Sequence, residues 1–230
     1  MKYGSITTGI IADGLVFNMD AANRASYPKT GTLATDTITS TISGSLESGA
    51  TFETNDNGIF SFDGVDDNIS VTTTNLSDTT ELTVNCWVKT SDISTDGGSY
   101  RAYFATGPWS GKWKLSVNTS NGKIDIWSGG ASKLLSGTAL PTGEFVNVTY
   151  TYGNNTGILY FNGSASNSAT YTLTHFLGKI YLGAGGYSSA NLTTTGMWNG
   201  SIGSTQIYNR ALSANEVLHN YNALKGRFGL

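Results

Sequence analysis

The sequence predicts an all-β sandwich or barrel that ends in one short helix. Short segments in which apolar and polar residues alternate recur along the 230 residues, with turn signals between them. The abundance of β-branched Thr and of turn-forming Asn and Gly favours strands joined by tight loops. A chain of this length can bury a core as one domain, and no break in composition marks a second one.

Alternation marks the strands of the first half of the chain. The first strand has Leu15, Phe17 and Met19 on one face. Residues 24–50 are rich in Thr and Ser, and we interpret them as a long irregular excursion. The next apolar faces are Phe60 with Phe62, Ile69 with Val71, and Leu82 with Val84, Cys86 and Val88.

Tight turns separate the strands of the second half. Asn121-Gly122 and Asn162-Gly163 have the sequence of two-residue hairpin turns, which need residues that tolerate positive φ. Apolar faces occur at Trp113, Leu115 and Val117, at Ile124 and Ile126, at Val146, Val148, Tyr150 and Tyr152, and in segments 158–161, 180–182 and 202–208. The pattern predicts roughly ten to fourteen strands in all.

The single predicted helix begins near the C-terminus. Ser213 and Glu216 have the spacing of a capping box, in which each side chain satisfies a backbone N–H of the other residue. An apolar stripe follows at Val217, Leu218, Tyr221 and Leu224. The pattern predicts a terminal helix docked on the β-domain.

Charge and cysteine content exclude several classes of function. Charged residues make up 13% of the chain and the net charge is −3, so no basic patch for nucleic acid is expected. No segment reaches the roughly 20 apolar residues that span a membrane, and the first residues lack a secretory signal, so we expect synthesis in a cytoplasm. Cys86 is the one cysteine, and its apolar neighbours predict a buried structural thiol.

Six segments in order resemble a laminin G-like, concanavalin A-like domain. They are residues 14–23, 62–67, 82–89, 145–150, 159–163 and 197–221. The resemblance implies a jelly-roll β-sandwich of two curved antiparallel sheets with one short C-terminal helix. On this basis residues 14–230 form a single domain, and residues 1–13 form an N-terminal arm that orders on a neighbouring subunit.

Catalytic machinery is not predicted. Glycan-hydrolysing members of the family use two carboxylates on one strand, and retaining cleavage needs them about 5 Å apart. The chain lacks such a pattern, because Glu81 and Glu144 stand alone. His175 and His219 are not near a nucleophile motif, so a Ser-His-Asp site is not expected either.

A structural calcium ion is the one cofactor that the resemblance implies. Members of the superfamily often hold it near the edge of the sandwich, with an acidic ligand directly after a Gly-x-Ile segment. Gly203 and Ser204 follow Gly200-Ser201-Ile202 in this chain, so that carboxylate is missing. The remaining candidates for metal ligands are Asp20, Asp63, Asp66 and Asp67. The alternative is that Asp63, Asp66 and Asp67 hydrogen-bond their own turn.

Aromatic residues supply candidates for a glycan site. Asp125 and Trp127 lie opposite Ile124 and Ile126 in the alternation, so one of these pairs faces away from the core. The full candidate set is Trp109, Asp125, Trp127, Tyr103 and Tyr187, of which Trp109, Tyr103 and Tyr187 are placed in Gly-rich loops. The alternative is that such residues are covered by the fold, as we expect for Trp87.

Within the family the chain resembles structural proteins of tailed phages, through its opening segment, its low charge and residues 221–229. That resemblance implies a non-catalytic protein on the virion surface, as a capsid decoration or a tail or fibre component. Its partners would be other virion proteins, in a homo-oligomer or symmetric array. The alternative is a carbohydrate-binding adhesin or lectin module that attaches to glycans of the host surface.

Overall fold

A computed structural model describes residues 9–72, 80–93, 99–107, 113–173, 179–185 and 196–230. Two eight-stranded sheets pack face to face, and their paired strands are antiparallel. The predicted all-β sandwich with one short C-terminal helix is therefore confirmed. The sixteen strands of the described residues exceed the predicted number because several short strands carry little apolar contrast.

We call the first sheet the helix-covered sheet, because the C-terminal helix packs on its outer face. Its strands are β1 (Leu15–Asp20), β4 (Thr51–Glu53), β5 (Ile59–Asp63), β7 (Leu82–Thr90), β12 (Val146–Gly153), β13 (Thr156–Phe161), β14 (Ser164–Thr170) and β16 (Asn199–Tyr208). They lie in the order β14-β13-β12-β7-β16-β5-β4, and β1 pairs with β16 beyond the end of β5.

The other sheet is called the second sheet. Its strands are β2 (Leu33–Thr35), β3 (Ser43–Glu47), β6 (Asn68–Thr72), β8 (Tyr100–Gly107), β9 (Trp113–Asn118), β10 (Lys123–Ser128), β11 (Ala131–Ala139) and β15 (Lys179–Leu182). They lie in the order β11-β10-β9-β8-β15-β6-β3-β2. The turn at residues 63–67 carries the chain from one sheet to the other.

The hydrophobic core lies between the sheets, where the inward residues of each strand meet. In β7 the inward set is Leu82, Val84, Cys86 and Val88, as the alternation predicts. Cys86 is fully buried, its Sγ lies 3.7 Å from Thr205 Oγ1, and burial raises the pKa of its thiol to about 12. The prediction of an inert structural thiol is confirmed.

The interpretation of residues 24–50 as an irregular excursion is wrong, because β2 and β3 lie within it. β3 has the sequence SGSLE, and its Gly44 and Leu46 are buried. A Cβ at Gly44 would lie 2.7 Å from methyl groups of Ile69 and Val71, so the core at this position accepts only a glycine. A strand that uses glycine as an inward residue gives no apolar signal in the sequence.

One of the two predicted two-residue hairpin turns is confirmed, and the other is longer than predicted. Asn162 and Gly163 both have positive φ, 48° and 78°, and form the predicted two-residue turn between β13 and β14. Asn121-Gly122 is instead the second half of a four-residue connection, since β9 ends at Asn118 and β10 begins at Lys123. In that connection the N–H of Gly122 donates to the carbonyl of Asn118 at 2.8 Å.

One edge of each sheet is closed against the other sheet. The N–H of Gly137 in β11 donates to Ser166 Oγ in β14 at 3.0 Å, and Asn167 Nδ2 donates to the carbonyl of Leu135 at 2.9 Å. The opposite edges are β2 and β4, which are only three residues long, and β1, whose outer side hydrogen-bonds to residues 36 and 37. Closed and short edges both prevent unwanted strand pairing with other chains.

Helix α1 (Ala214–Leu224) begins with the predicted capping box. The N–H of Glu216 donates to Ser213 Oγ at 3.4 Å, and the N–H of Ser213 donates to Glu216 Oε2 at 2.8 Å. Val217 and Leu224 are buried against the helix-covered sheet, whereas Leu218 is exposed. A 3-10 turn (Lys225–Phe228) follows the helix directly.

The described part of the predicted N-terminal arm packs on its own chain. The N–H of Ile11 donates to Asn220 Oδ1 at 2.8 Å, and the hydroxyl of Tyr208 donates to the carbonyl of Ile11 at 3.0 Å. Residues 9–13 are thus fixed to their own domain, residues 1–8 lie outside the described residues, and docking on a neighbouring subunit stays a prediction. Over the described ranges, neither α1 nor the 3-10 turns at Asn55–Asn57 and Lys225–Phe228 are long and apolar enough to cross a membrane.

Candidate functional site

The outer face of the second sheet carries a compact group of polar and aromatic side chains on β8 to β11. We call it the Trp127 cluster, and it consists of Tyr100, Lys114, Ser116, Asp125, Trp127 and Ser132. Strand alternation explains its position, because Leu115 and Ile126 point into the core and so turn Lys114 and Trp127 outward. The strand register then sets Trp127 opposite Lys114 and Asp125 opposite Ser116.

Lys114 lies between two aromatic rings of the cluster. Its Nζ is 4.6 Å from the centroid of the Tyr100 ring and 5.3 Å from the centroid of the Trp127 ring. An ammonium at these distances is attracted by the electron-rich ring faces. Burial lowers the pKa of Lys114, and the negative charge of Asp125 opposes that shift.

Asp125 is the charged centre of the cluster and is fully buried. Its Oδ1 accepts a hydrogen bond of 2.6 Å from Ser132 Oγ, whereas Oδ2 has no hydrogen-bond partner among the described residues. Burial raises the pKa of Asp125, while Ser132, Lys114 and Tyr100 act in the opposite direction. Ser116 Oγ, opposite Asp125, is buried and also unpartnered in the described part of the chain.

This arrangement has the parts that a sugar-binding site uses. The half-buried Trp127 ring can stack against the C–H face of a sugar ring. Lys114 can donate a hydrogen bond to a sugar hydroxyl. Asp125 Oδ2 can accept one once a side chain that covers it moves aside, because this oxygen is buried. A buried acceptor without a partner costs free energy, and a ligand hydroxyl would recover it.

Two of the five predicted glycan-binding residues lie together here. Asp125 and Trp127 are adjacent on the outer face of β10, while Ile124 and Ile126 are in the core. Trp109 and Tyr187 lie outside the described residues. The actual participation of Asp125 and Trp127 in binding stays a prediction.

The prediction that Tyr103 lies in a loop and offers its ring to a ligand is wrong. Tyr103 is in β8, and its fully buried ring packs edge-on against Trp198 with the centroids 5.4 Å apart. The register between β8 and β9 shifts between Ala102 and Phe104, and both Tyr103 and Phe104 lie in the core. A bulge of this kind breaks the simple alternation on which a prediction from sequence depends.

Sequence reasoning missed Lys114 and Tyr100. The signal for Lys114 was present, because it lies between Trp113 and Leu115, whose inward positions place it on the outer face. The signal that brings it to Trp127 is the β9–β10 register, which follows from the length of the connecting turn.

The turn between β5 and β6 brings three of the four predicted metal-ligand candidates together. Asp63, Asp66 and Asp67 each place one carboxylate oxygen within 4.8 Å of the others. The turn also uses these groups itself, because Asp67 Oδ2 accepts from the N–H of Asp63 at 2.9 Å and Asp63 Oδ1 accepts from the N–H of Val65 at 2.8 Å. Burial raises the pKa of Asp67. A hard divalent cation is the ligand that such oxygens would take.

The fourth metal-ligand candidate, Asp20, does not join this turn. Its buried Oδ1 lies 2.7 Å from Arg227 Nη1 and also accepts a hydrogen bond from the N–H of Ala22 at 2.9 Å. Asp20 is therefore separate from the group formed by Asp63, Asp66 and Asp67. An arginine near the C-terminus neutralises its charge.

The expected packing of Trp87 is confirmed. Trp87 lies on the outer face of β7, opposite the inward set, and is fully buried. The rings of Tyr221 and Phe228 stack on it with centroid distances of 5.8 and 4.3 Å. Trp87 therefore presents no ring surface to a ligand.

Comparisons with known proteins agree with this architecture. A family model described as the "Concanavalin A-like lectin/glucanases superfamily" matches residues 63–218. No curated protein sequence matches the chain.

Several solved structures share the fold. Domain 4 of AbnA, an extracellular arabinanase of family GH43 from Geobacillus stearothermophilus solved with arabinotriose, is 18% identical with a TM-score of 0.69, over 90% of this chain and 98% of that one. The binding domain of Paraclostridial Mosquitocidal Protein 1 is 15% identical with a TM-score of 0.69, over 91% and 52%. Trypanosoma rangeli sialidase, solved with 2,3-difluorosialic acid, is 17% identical with a TM-score of 0.65, over 90% and 33%. The chain thus spans about half of the mosquitocidal domain and a third of the sialidase.

Proposed function

The chain belongs to the concanavalin A-like lectin/glucanases superfamily, and we propose that it is a non-catalytic carbohydrate-binding domain whose ligand docks on the Trp127 cluster. One observation carries the proposal, namely the buried Asp125 oxygen without a described partner beside the half-buried Trp127 ring. The cluster as defined contains a single carboxylate, whereas glycoside hydrolysis commonly uses a pair. Binding rather than cleavage is the chemistry that this set supports.

The charges of the cluster favour a neutral saccharide. Lys114 and Asp125 carry opposite charges, so the site has no net charge with which to select a sialylated or uronic acid ligand. The adjacent donor and acceptor suit vicinal hydroxyls, one of which donates to Asp125 while the other accepts from Lys114. The arabinotriose that domain 4 of AbnA holds in its structure is a neutral oligosaccharide and makes a natural first probe.

A glycan array first ranks neutral oligosaccharides. Calorimetric titration with these sugars, beginning with arabinotriose, then tests the proposal. Trp127→Ala is expected to abolish binding, since stacking on an aromatic platform is the main apolar contribution to such sites. Lys114→Gln is expected to weaken it about tenfold, the loss of one hydrogen bond.

A matched control is Lys89→Gln, because Lys89 Nζ lies 5.0 Å from the Phe145 ring but on the helix-covered sheet. Lys89→Gln should bind as the unchanged protein does. Binding that survives Trp127→Ala, or an array with no neutral glycan bound, would refute the proposed site.

For the biological setting we propose display on a phage virion, as a capsid decoration or a tail or fibre component. The resemblance of the opening segment and of residues 221–229 to tailed-phage structural proteins supports this setting. The short and closed sheet edges also suit a domain held at high local concentration without edge-to-edge pairing. Mass spectrometry of purified particles should find the chain in a fixed number of copies per virion, and its absence from particles would rule this setting out.

A further inference from the structure

Arg227 fills a pocket of oxygen atoms in the helix-covered sheet, at the point where β16 stops pairing with β5 and begins to pair with β1. Its Nη1 lies 2.7 Å from Asp20 Oδ1, its Nε donates to the carbonyl of Asp56 at 2.8 Å, and its Nη2 donates to the carbonyls of Gly58 and of Gly203, the latter at 3.3 Å. The side chains of Arg227 and Asp20 are only 6% and 3% exposed. One buried carboxylate and three carbonyl oxygens thus surround one guanidinium.

This oxygen set is the kind that calcium takes in proteins. Calcium binds carboxylate and backbone carbonyl oxygens, and it needs several of them at once. The family resemblance implied a calcium ion near the sandwich edge, with an acidic ligand at the position of Gly203. The pocket includes the carbonyl of Gly203, but the guanidinium already takes its oxygens. The residues present therefore do not fit a resident metal ion at this place.

Phe228 explains why an acidic ligand is missing at Gly203. A Cβ on Gly203 would lie 2.6 Å from Phe228 Cζ, so any side chain at this position collides with the ring. The same ring stacks on Trp87 at a centroid distance of 4.3 Å. The three groups therefore depend on one another: Phe228 requires glycine at position 203, and Arg227 binds the carbonyl of that glycine.

We propose that Arg227 is a covalently attached substitute for the structural cation of this fold. Its single positive charge neutralises Asp20, and its planar group of donors satisfies the carbonyls that a metal ion would otherwise bind. Because Arg227 comes from the 3-10 turn after α1, it also ties the C-terminus to the end of β1 and to the turn at Asn55–Asn57. This part of the sandwich is therefore stable without calcium.

The decisive experiment compares thermal unfolding and calcium binding in the unchanged full chain and in Arg227→Ala. Removing one partner of a buried ion pair leaves Asp20 uncompensated, so the Tm of Arg227→Ala in EDTA should fall by about 10 °C. Calcium chloride at millimolar concentration should then restore at least half of that loss, and magnesium chloride at equal ionic strength should restore less. Calorimetry should find one more calcium ion bound per chain than in the unchanged protein.

Asp63, Asp66 and Asp67 are present in both the unchanged protein and Arg227→Ala. Any calcium that they bind therefore cancels when the calcium binding of the two proteins is subtracted. In Asp20→Asn combined with Arg227→Ala, the additional calcium ion and the recovery should both disappear. Arg210→Ala is the matched control, because Arg210 also pairs with a carboxylate, Glu216, at 2.6 Å but lies away from the pocket. It should lose stability without gaining a calcium ion.

Two results would overturn the proposal. One is an Arg227→Ala protein that gains neither a calcium ion nor calcium-specific stability. The other is an Asp20→Asn, Arg227→Ala protein that responds to calcium as strongly as Arg227→Ala does. If Arg227→Ala fails to fold in EDTA, its refolding yield with and without calcium gives the same answer, since only a calcium-dependent yield agrees with the proposal.

Discussion

Each outer face of the sandwich carries a tryptophan at an outward position of a strand. The surroundings of these two side chains differ. Trp87 on the helix-covered sheet is fully buried between Tyr221 and Phe228. Trp127 on the second sheet is half-buried and has Lys114 beside its ring. The difference arises because the C-terminal helix and turn supply aromatic rings to one face alone. Of the two, Trp127 is the one with ring surface left for a ligand.

The buried amides of the helix-covered sheet contrast with Asp125 on the second sheet, although Trp87 Nε1 and Ser204 Oγ on the helix-covered sheet also have no partner among the described residues. On the helix-covered sheet, Gln206 Nε2 donates to Asn18 Oδ1 at 3.1 Å, Asn85 Nδ2 to Gln206 Oε1 at 2.7 Å, and Asn147 Nδ2 to Asn85 Oδ1 at 2.8 Å. These amides cross four strands and satisfy one another. On the second sheet Asp125 keeps an oxygen without a described partner. A fully satisfied amide network stabilises the fold, whereas an unsatisfied buried acceptor costs free energy.

The largest expected effect separates the two tryptophans. Trp87→Ala should lower the free energy of unfolding by about 4 kcal/mol, because it removes a fully buried ring and leaves a cavity. Trp127→Ala should lower it by about 1 kcal/mol or less and should affect glycan binding instead. Urea unfolding of both variants measures this, and equal losses would contradict the assignment of one face to stability and the other to binding.

A smaller difference in the free energy of unfolding is expected between substitutions of Asn85 and of Asp125. Asn85→Ala should cost about 3 kcal/mol, because it leaves Gln206 Oε1 and Asn147 Nδ2 buried without partners, at about 1–3 kcal/mol each. Asp125→Asn should leave the free energy of unfolding within about 1 kcal/mol of the unchanged value. Denaturant unfolding at pH 7 provides the comparison, and a loss in Asp125→Asn as large as in Asn85→Ala would show that Asp125 stabilises the fold.

The smallest effect is on how stability depends on pH, which should have opposite signs for Glu216 in α1 and Asp125 on the second sheet. Hydrogen bonding to Arg210 lowers the pKa of Glu216 from 4.5 to about 2, so its contribution to stability is present above pH 4.5 and is lost as pH falls toward 2. Burial raises the pKa of Asp125, so the folded chain holds that proton to higher pH than the unfolded chain, and stability falls as pH rises through the folded pKa.

Thermal scans between pH 2 and pH 7 distinguish these groups. The difference in Tm between the unchanged protein and Glu216→Gln should shrink toward pH 2, and its size should be modest because the pair is partly exposed. For Asp125→Asn the Tm should match the unchanged protein in acid and exceed it near pH 7. Parallel pH profiles for both variants would contradict the opposite signs expected for Glu216 and Asp125.

Local patterns in the sequence predicted much of the scaffold. Alternation located β1, β5, β7, β10 and β12, and the capping box located the start of α1, because these signals depend on neighbouring residues. Alternation failed where an inward position is a glycine, as at Gly44, and where a bulge breaks the period, as at Tyr103. In both places the packing of distant strands decides the local geometry.

By itself the sequence determined the sandwich, its terminal helix and the outward position of Asp125 and Trp127, since period-two alternation is a property of adjacent residues. Tertiary structure alone decided which tryptophan is covered and which cation neutralises Asp20. Arg227 lies 207 residues from Asp20 along the chain, and Tyr221 and Phe228 are also remote from Trp87. Contacts of such separation form only when the folded sheets bring the C-terminus across one face, so no local pattern contains them.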